Sequence, residues 1–189
     1  MKHLVFFILC LFGYILNAQV NFGLSGLTGA STFAPTCVQF GLDGNLYVSQ
    51  AYGDIHIYSI LRNGPNDYEV TNTEVITSIN DIPNHDDDGE LNPIVNNRLI
   101  TGMLVKGTAA NPIIYVSSSD PRTNEQDTSQ LGVKSNLDTN SGMVSKLYKV
   151  GSNWERLDLV RGLPRSEEVH ASNGMQLDEN TNILYLAQG

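Results

Sequence analysis

The chain has 189 residues, and its 11 lysines and arginines stand against 20 aspartates and glutamates, a formal charge of −9 at neutral pH. That balance excludes a nucleic-acid binder, which needs a basic face to meet phosphates. Its 2 cysteines exclude a scaffold stapled by internal disulfides.

Residues Met1–Ala18 read as a secretory signal. Lys2 and His3 form a short basic head, Leu4–Leu16 an apolar run, and Ala18 the small residue that signal peptidase needs. The run is too short to cross a bilayer, which takes about 20 residues, and no later segment offers a transmembrane helix. Cys10 follows Leu9, whereas a lipid-attachment site would put a small residue there. Cleavage near Ala18 is expected to leave a secreted or periplasmic protein without a membrane span. Cys37 then has no partner, and its place in TCVQF predicts a buried thiol.

Three copies of one strand follow, LYVSQ, IYVSS and LYLAQ, centred on Tyr47, Tyr115 and Tyr185. A turn-rich stretch precedes each one (GLDGN, GTAANP, DENTN), and a short apolar run precedes that (TCVQF, TGMLV, NGMQL). The first two units continue into a third strand (GDIHIYSI, GMVSKLYKV) and a fourth (YEVTNTEVI, WERLDLV). Strand, tight turn, strand at such a period predicts an all-β fold, a β-propeller of four-stranded antiparallel blades. The competing reading is three unrelated hairpins of an all-β sandwich. A propeller closes with about four to eight blades, and this chain has material for two blades and two strands of a third. Residues 19–189 are therefore expected to be the amino-terminal part of an incomplete propeller domain, six-bladed like the propellers its motifs resemble, with further blades or domains in the same parent chain.

Because antiparallel strands alternate direction, their connections alternate between two rims. Short turns fall on one rim, and Asn80–Asn97, Ser118–Ser141 and Pro164–Ser172 fall on the other, which makes it the expected working face. Two constellations lie there. The acidic turn Asn84–Glu90 offers Asp86, Asp87, Asp88 and Glu90 as oxygen ligands for a hard cation such as calcium, although consecutive aspartates followed by Gly89 also read as a solvated turn. The connector RGLPRSEEVHASNGMQL delivers His170 just before an inner strand, where its near-neutral pKa suits it to take a proton from a hydroxyl; a lone loop histidine is also commonly incidental.

The stretches DLVRGLPRSEEVHASNGMQLDENTNILYLAQG and NNRLITGMLVKGTAANPIIYVSSSD resemble the soluble quinoprotein glucose dehydrogenases and the related sorbosone or aldose sugar dehydrogenase-like propellers. The resemblance implies that His170 is a general base, removing a sugar hydroxyl proton while hydride passes to pyrroloquinoline quinone. It also places Asn97 where a quinone-contacting glutamine stands in that family, and Val169 where an acid orients the histidine. Quinone and calcium are implied for the complete protein, with none expected in this piece, because the remaining cofactor-holding residues belong to later blades.

Three function classes follow: a quinone-dependent sugar oxidoreductase, a non-catalytic carbohydrate-binding or adhesive propeller, and a metal-dependent lactonase. Sugar or polysaccharide is the expected partner of the first two. The lactonase ranks last, because the inner strands begin at Thr36, Thr101 and Asn173, of which Asn173 alone is a plausible side-chain metal ligand.

Overall fold

A computed structural model describes residues 23–123, 136–167 and 169–189. The signal expected at 1–18 and the middle of the Ser118–Ser141 connector lie outside the described residues. Among the described residues eleven strands run in chain order. The first group is β1 (Leu27–Thr28), β2 (Pro35–Phe40), β3 (Leu46–Gln50), β4 (Ile55–Gly64) and β5 (Asp67–Ile76). The second is β6 (Leu99–Gly107), β7 (Pro112–Ser119), β8 (Gly142–Val150) and β9 (Asn153–Leu163), and the third is β10 (Ser172–Asp178) and β11 (Ile183–Gln188). One 3-10 turn, Ser78–Asp81, is the helical element among the described residues.

The fold is all-β, as the sequence predicts. Its sheets have the orders β1-β5-β4-β3-β2, β6-β7-β8-β9 and β10-β11. The first sheet has five strands where four were expected, because Leu27 and Thr28 pair in parallel with Tyr68 and Glu69 on its outer edge. A ring of four-stranded blades is not displayed; the expectation is corrected to three sheets of five, four and two strands among the described residues.

Period-2 alternation decides how the sheets stack. Tyr47 pairs with Ile57 across β3 and β4, and both point into a core shared with Met103, Val105, Ile114 and Val116 of the second sheet. The opposite face of the second sheet turns Leu104, Tyr115 and Val144 toward Met175, Leu177, Leu184 and Leu186 of the third. Full burial of an aliphatic side chain contributes roughly 1.5–3 kcal/mol. The first seam, where Ile55, Ile100, Ile114, Val116 and Leu147 are wholly buried, therefore carries more of the stability than the second.

Polar contacts fix the spacing of the leading strands β2, β6 and β10. The Gln39 amide donates from Nε2 to the Val105 carbonyl (2.9 Å) and accepts at Oε1 from the Val105 N–H (2.8 Å), spanning two sheets. Ser117 Oγ donates to the Asn173 carbonyl at 2.8 Å. Gly102 allows this approach, since a Cβ there would lie 2.1 Å from the Asn173 oxygen. Farther out, Glu74 accepts from Lys149 Nζ (3.0 Å) and Trp154 Nε1 (2.9 Å), tying β5 to the second sheet. Cys37 is half-buried against the first core rather than fully enclosed.

Candidate binding rim

The connectors that follow β5, β7 and β9 meet at one end of the sheets, and arginines join them. Arg98, at the start of β6 and 1% exposed, donates from Nη1 to Asn84 Oδ1 (2.7 Å) and from Nη2 to the Ser141 carbonyl (2.6 Å). Asn84 in turn donates to the carbonyls of Val95 and Asn97, both at 2.9 Å, closing the first connector on itself. Burial pushes the Arg98 guanidinium down to about 10, so it stays charged at neutral pH.

Arg122 holds the second connector to the first. It donates to Asp86 Oδ1 (2.6 Å) and to the His85 carbonyl (2.7 Å), and it pairs with fully buried Asp120 through Nε (3.0 Å) and Nη2 (2.8 Å). Arg165, 2% exposed, brings in the third connector. Its donors reach the Asp120 carbonyl (3.2 Å), the Arg122 carbonyl (2.9 Å) and the His170 carbonyl (3.3 Å). The acidic turn and the His170 connector thus share one rim, as strand parity requires.

The acidic side chains go separate ways. Asp86 accepts from Arg122 and from Asn92 Nδ2 (2.9 Å), Asp87 accepts from Thr139 Oγ1 (3.1 Å), and Asp88 caps the Glu90 N–H (3.1 Å). Among the described residues no group of three or more histidines, cysteines, aspartates or glutamates converges to hold a metal ion. The carboxylates of this turn are not arranged as a calcium cage. The Asn92 amide and then Arg122 hold the Asp86 carboxyl below the usual carboxylate range. A depressed native pKa stabilises above the unfolded value and ceases to do so as pH falls through the native one. Acidification below the ordinary carboxylate range is therefore expected to free the acidic turn before the sheets open, and Asp86→Asn should flatten that acid limb. Amide chemical shifts of residues 85–92 followed against pH check this; an unchanged limb in the variant counts against it.

His170 is exposed, with its N–H donated to Ser166 Oγ at 3.0 Å and Val169 exposed beside it. Asn97 is half-buried and contributes its carbonyl to Asn84. A cleft of about 290 Å³ opens between the first and second connectors. Polar His85, Asp138, Asn140 and Arg161 share its lining with apolar Ile82 and Met143, and neither His170 nor Asn97 lines it. Sequence reading missed Arg98, Asp120, Arg122 and Arg165. The available signal was an arginine in or beside each connector of an acidic chain, two of them in the local patterns Asp120-Pro121-Arg122 and Leu163-Pro164-Arg165.

No family model matches the chain, and no curated protein matches it. Among solved structures, the iodide structure of Trichoderma reesei Carbohydrate-Active Enzymes Family AA12 is similar at 16% identity, covering 87% of this chain and 32% of that one, with a TM-score of 0.43. This chain spans about a third of that protein's length. That no family model matches overturns the resemblance to the quinoprotein glucose and sorbosone dehydrogenases. The roles of His170 as base and Asn97 as quinone contact stood on that resemblance and lose its support.

Proposed function

We propose that the three sheets are consecutive units of a β-propeller and that its arginine-lashed rim binds carbohydrate in an exported setting. The observation that carries the reading is the cleft between the first two connectors. A sugar ring presents hydroxyls that donate and accept around its edge and an apolar C–H face. The cleft offers the matching mixture, with carboxylate, amide, imidazole and guanidinium groups beside Ile82 and Met143. The surrounding connectors are held by nearly fully buried Arg98 and Arg165, which reduces the ordering cost of binding. The radial reading is supported by the way β2, β6 and β10 each form an edge of their sheet, with β2 lying against β6 and β6 against β10. The apolar run Leu4–Leu16 supports export.

Calorimetric titration with a panel of neutral and acidic monosaccharides tests this. One class is expected to bind, and Asn140→Ala and His85→Ala are each expected to weaken it about two- to tenfold, the loss of a typical hydrogen bond. Asn140 is exposed, so its truncation leaves the fold intact. Absence of binding at millimolar sugar, or variants that bind like the native chain, rejects the reading.

A further inference from the structure

The cleft between the first two connectors gathers positive charge in an acidic chain. The formal charge of the whole is −9, yet the charged residues lining this cleft are two arginines, Arg98 and Arg161, and one carboxylate, Asp138. Its lining runs from Ile82 to Gly162, within the first two units.

Arg98 is the unusual member. A buried charge is ordinarily paired with an opposite one, because its desolvation is otherwise uncompensated. Arg98 is 1% exposed, and its hydrogen bonds go to neutral acceptors, the Asn84 amide oxygen and the Ser141 carbonyl. Among the described residues no carboxylate forms an ion pair with it, and its Nε is buried without a hydrogen-bond partner. Asp120, Asp138 and Asp158 act on it from beyond contact. The guanidinium therefore stands in the cleft wall as a fixed cation awaiting a counter-charge.

Arg161 supplies the reachable donors. Its side chain is 72% exposed and gives Nη2 to Asp158 Oδ2 at 2.7 Å, a carboxylate already shared with Arg156 Nε at 3.1 Å and Ser145 Oγ at 2.8 Å. Among the described residues its Nε and Nη1 make no hydrogen bond. Asp138, the opposing carboxylate, is turned into its own loop, where Oδ1 accepts the Asn140 N–H at 2.8 Å.

We infer that the saccharide held in this cleft is acidic, a sugar ring bearing a carboxylate, an assignment that rests on the carbohydrate reading of the same cleft. The carboxylate takes the free donors of Arg161 within the field of Arg98, and the ring hydroxyls meet Asn140 and His85. A guanidinium fork matches a carboxylate in geometry as well as charge. A hydroxymethyl group in the same place would leave Arg98 uncompensated.

Calorimetric titration of the full chain at neutral pH with glucuronate, galacturonate, glucose, galactose, glucose 6-sulfate and acetate tests this. Each uronate differs from its parent hexose in carrying a carboxylate for a hydroxymethyl. At least one uronate should bind about tenfold or more tightly than its parent, the increment of a hydrogen bond to a charged group. Arg161→Gln should erase most of that preference. Asp138→Asn keeps an acceptor for the Asn140 N–H and should widen it about two- to fivefold. Neither variant removes a fully buried group, so circular dichroism should stay native. Uronate and parent bound alike overturn the inference and leave the carbohydrate reading standing. No sugar bound, or acetate bound as tightly as a uronate, overturns both. Tighter binding of glucose 6-sulfate than of either uronate overturns the carboxylate assignment, and a preference unmoved by Arg161→Gln overturns the placement in this cleft.

Discussion

Replacing Asp120 by alanine is expected to cost about 3 kcal/mol of stability, near the low end for breaking a buried ion pair. The Asp120 side chain is wholly buried and receives three donors from Arg122, the backbone N–H and the guanidinium Nε and Nη2, with the Arg122 side chain 18% exposed. Truncation leaves that guanidinium desolvated without its inner partner. Asp86 still holds Nη1 at 2.6 Å, which is why the low end applies. Asp120→Asn keeps an acceptor and should recover part of the loss. A domain stable by roughly 5–15 kcal/mol would show the change as a large drop in urea midpoint at unchanged slope. If Asp120→Ala unfolds with the native midpoint, the rim is not held by this pair.

Gly102→Ala is expected to be nearly as costly, about 2–3 kcal/mol, for the opposite reason: an added atom rather than a removed one. The new Cβ would sit 2.1 Å from the Asn173 carbonyl oxygen and 2.6 Å from Ser117 Oγ. One of these is backbone and cannot rotate away, so β10 must retreat from β6. Hydrogen exchange should accelerate in β10 and β11 while amides of β3 and β4 keep their protection. Gly174→Ala is the control, because its Cβ meets nothing within 4 Å. Equal exchange in the two variants would show that the seam tolerates the extra carbon.

The strands were legible because their information is local. Alternation in GMVSKLYKV and the turn residues around it mark β8 and β9 with no knowledge of their neighbours, and strand parity then sends the long connectors to one end. β1 was not legible, since Leu27–Thr28 is too short to carry a period and its pairing partner lies some forty residues on. The rim arginines were missed for a related reason: Arg98 meets Ser141, Arg122 meets Asp86 and Arg165 meets Asp120, contacts that no window of sequence contains. Asp86, Asp87, Asp88 and Glu90 illustrate the converse. Adjacent carboxylates suggest a shared ligand, yet on this turn Asp86 turns to Arg122 and Asn92, Asp87 to Thr139 and Asp88 to the Glu90 N–H. The family resemblance rested on short connector and hairpin patterns, and such patterns follow from turn chemistry as readily as from descent.

The two-residue strand β1 protects part of an outer sheet edge. An outermost strand with unpaired amides invites another chain to zip alongside it. β1 occupies part of that position on β5, at Tyr68 and Glu69. The outermost strand of the second sheet, β9, is studded with Glu155, Arg156, Asp158 and Arg161, three of them joined in ion pairs through Asp158, a pattern that penalises lateral pairing. Sideways growth into a fibril-like ribbon is thereby discouraged at the outer margins of the first two sheets.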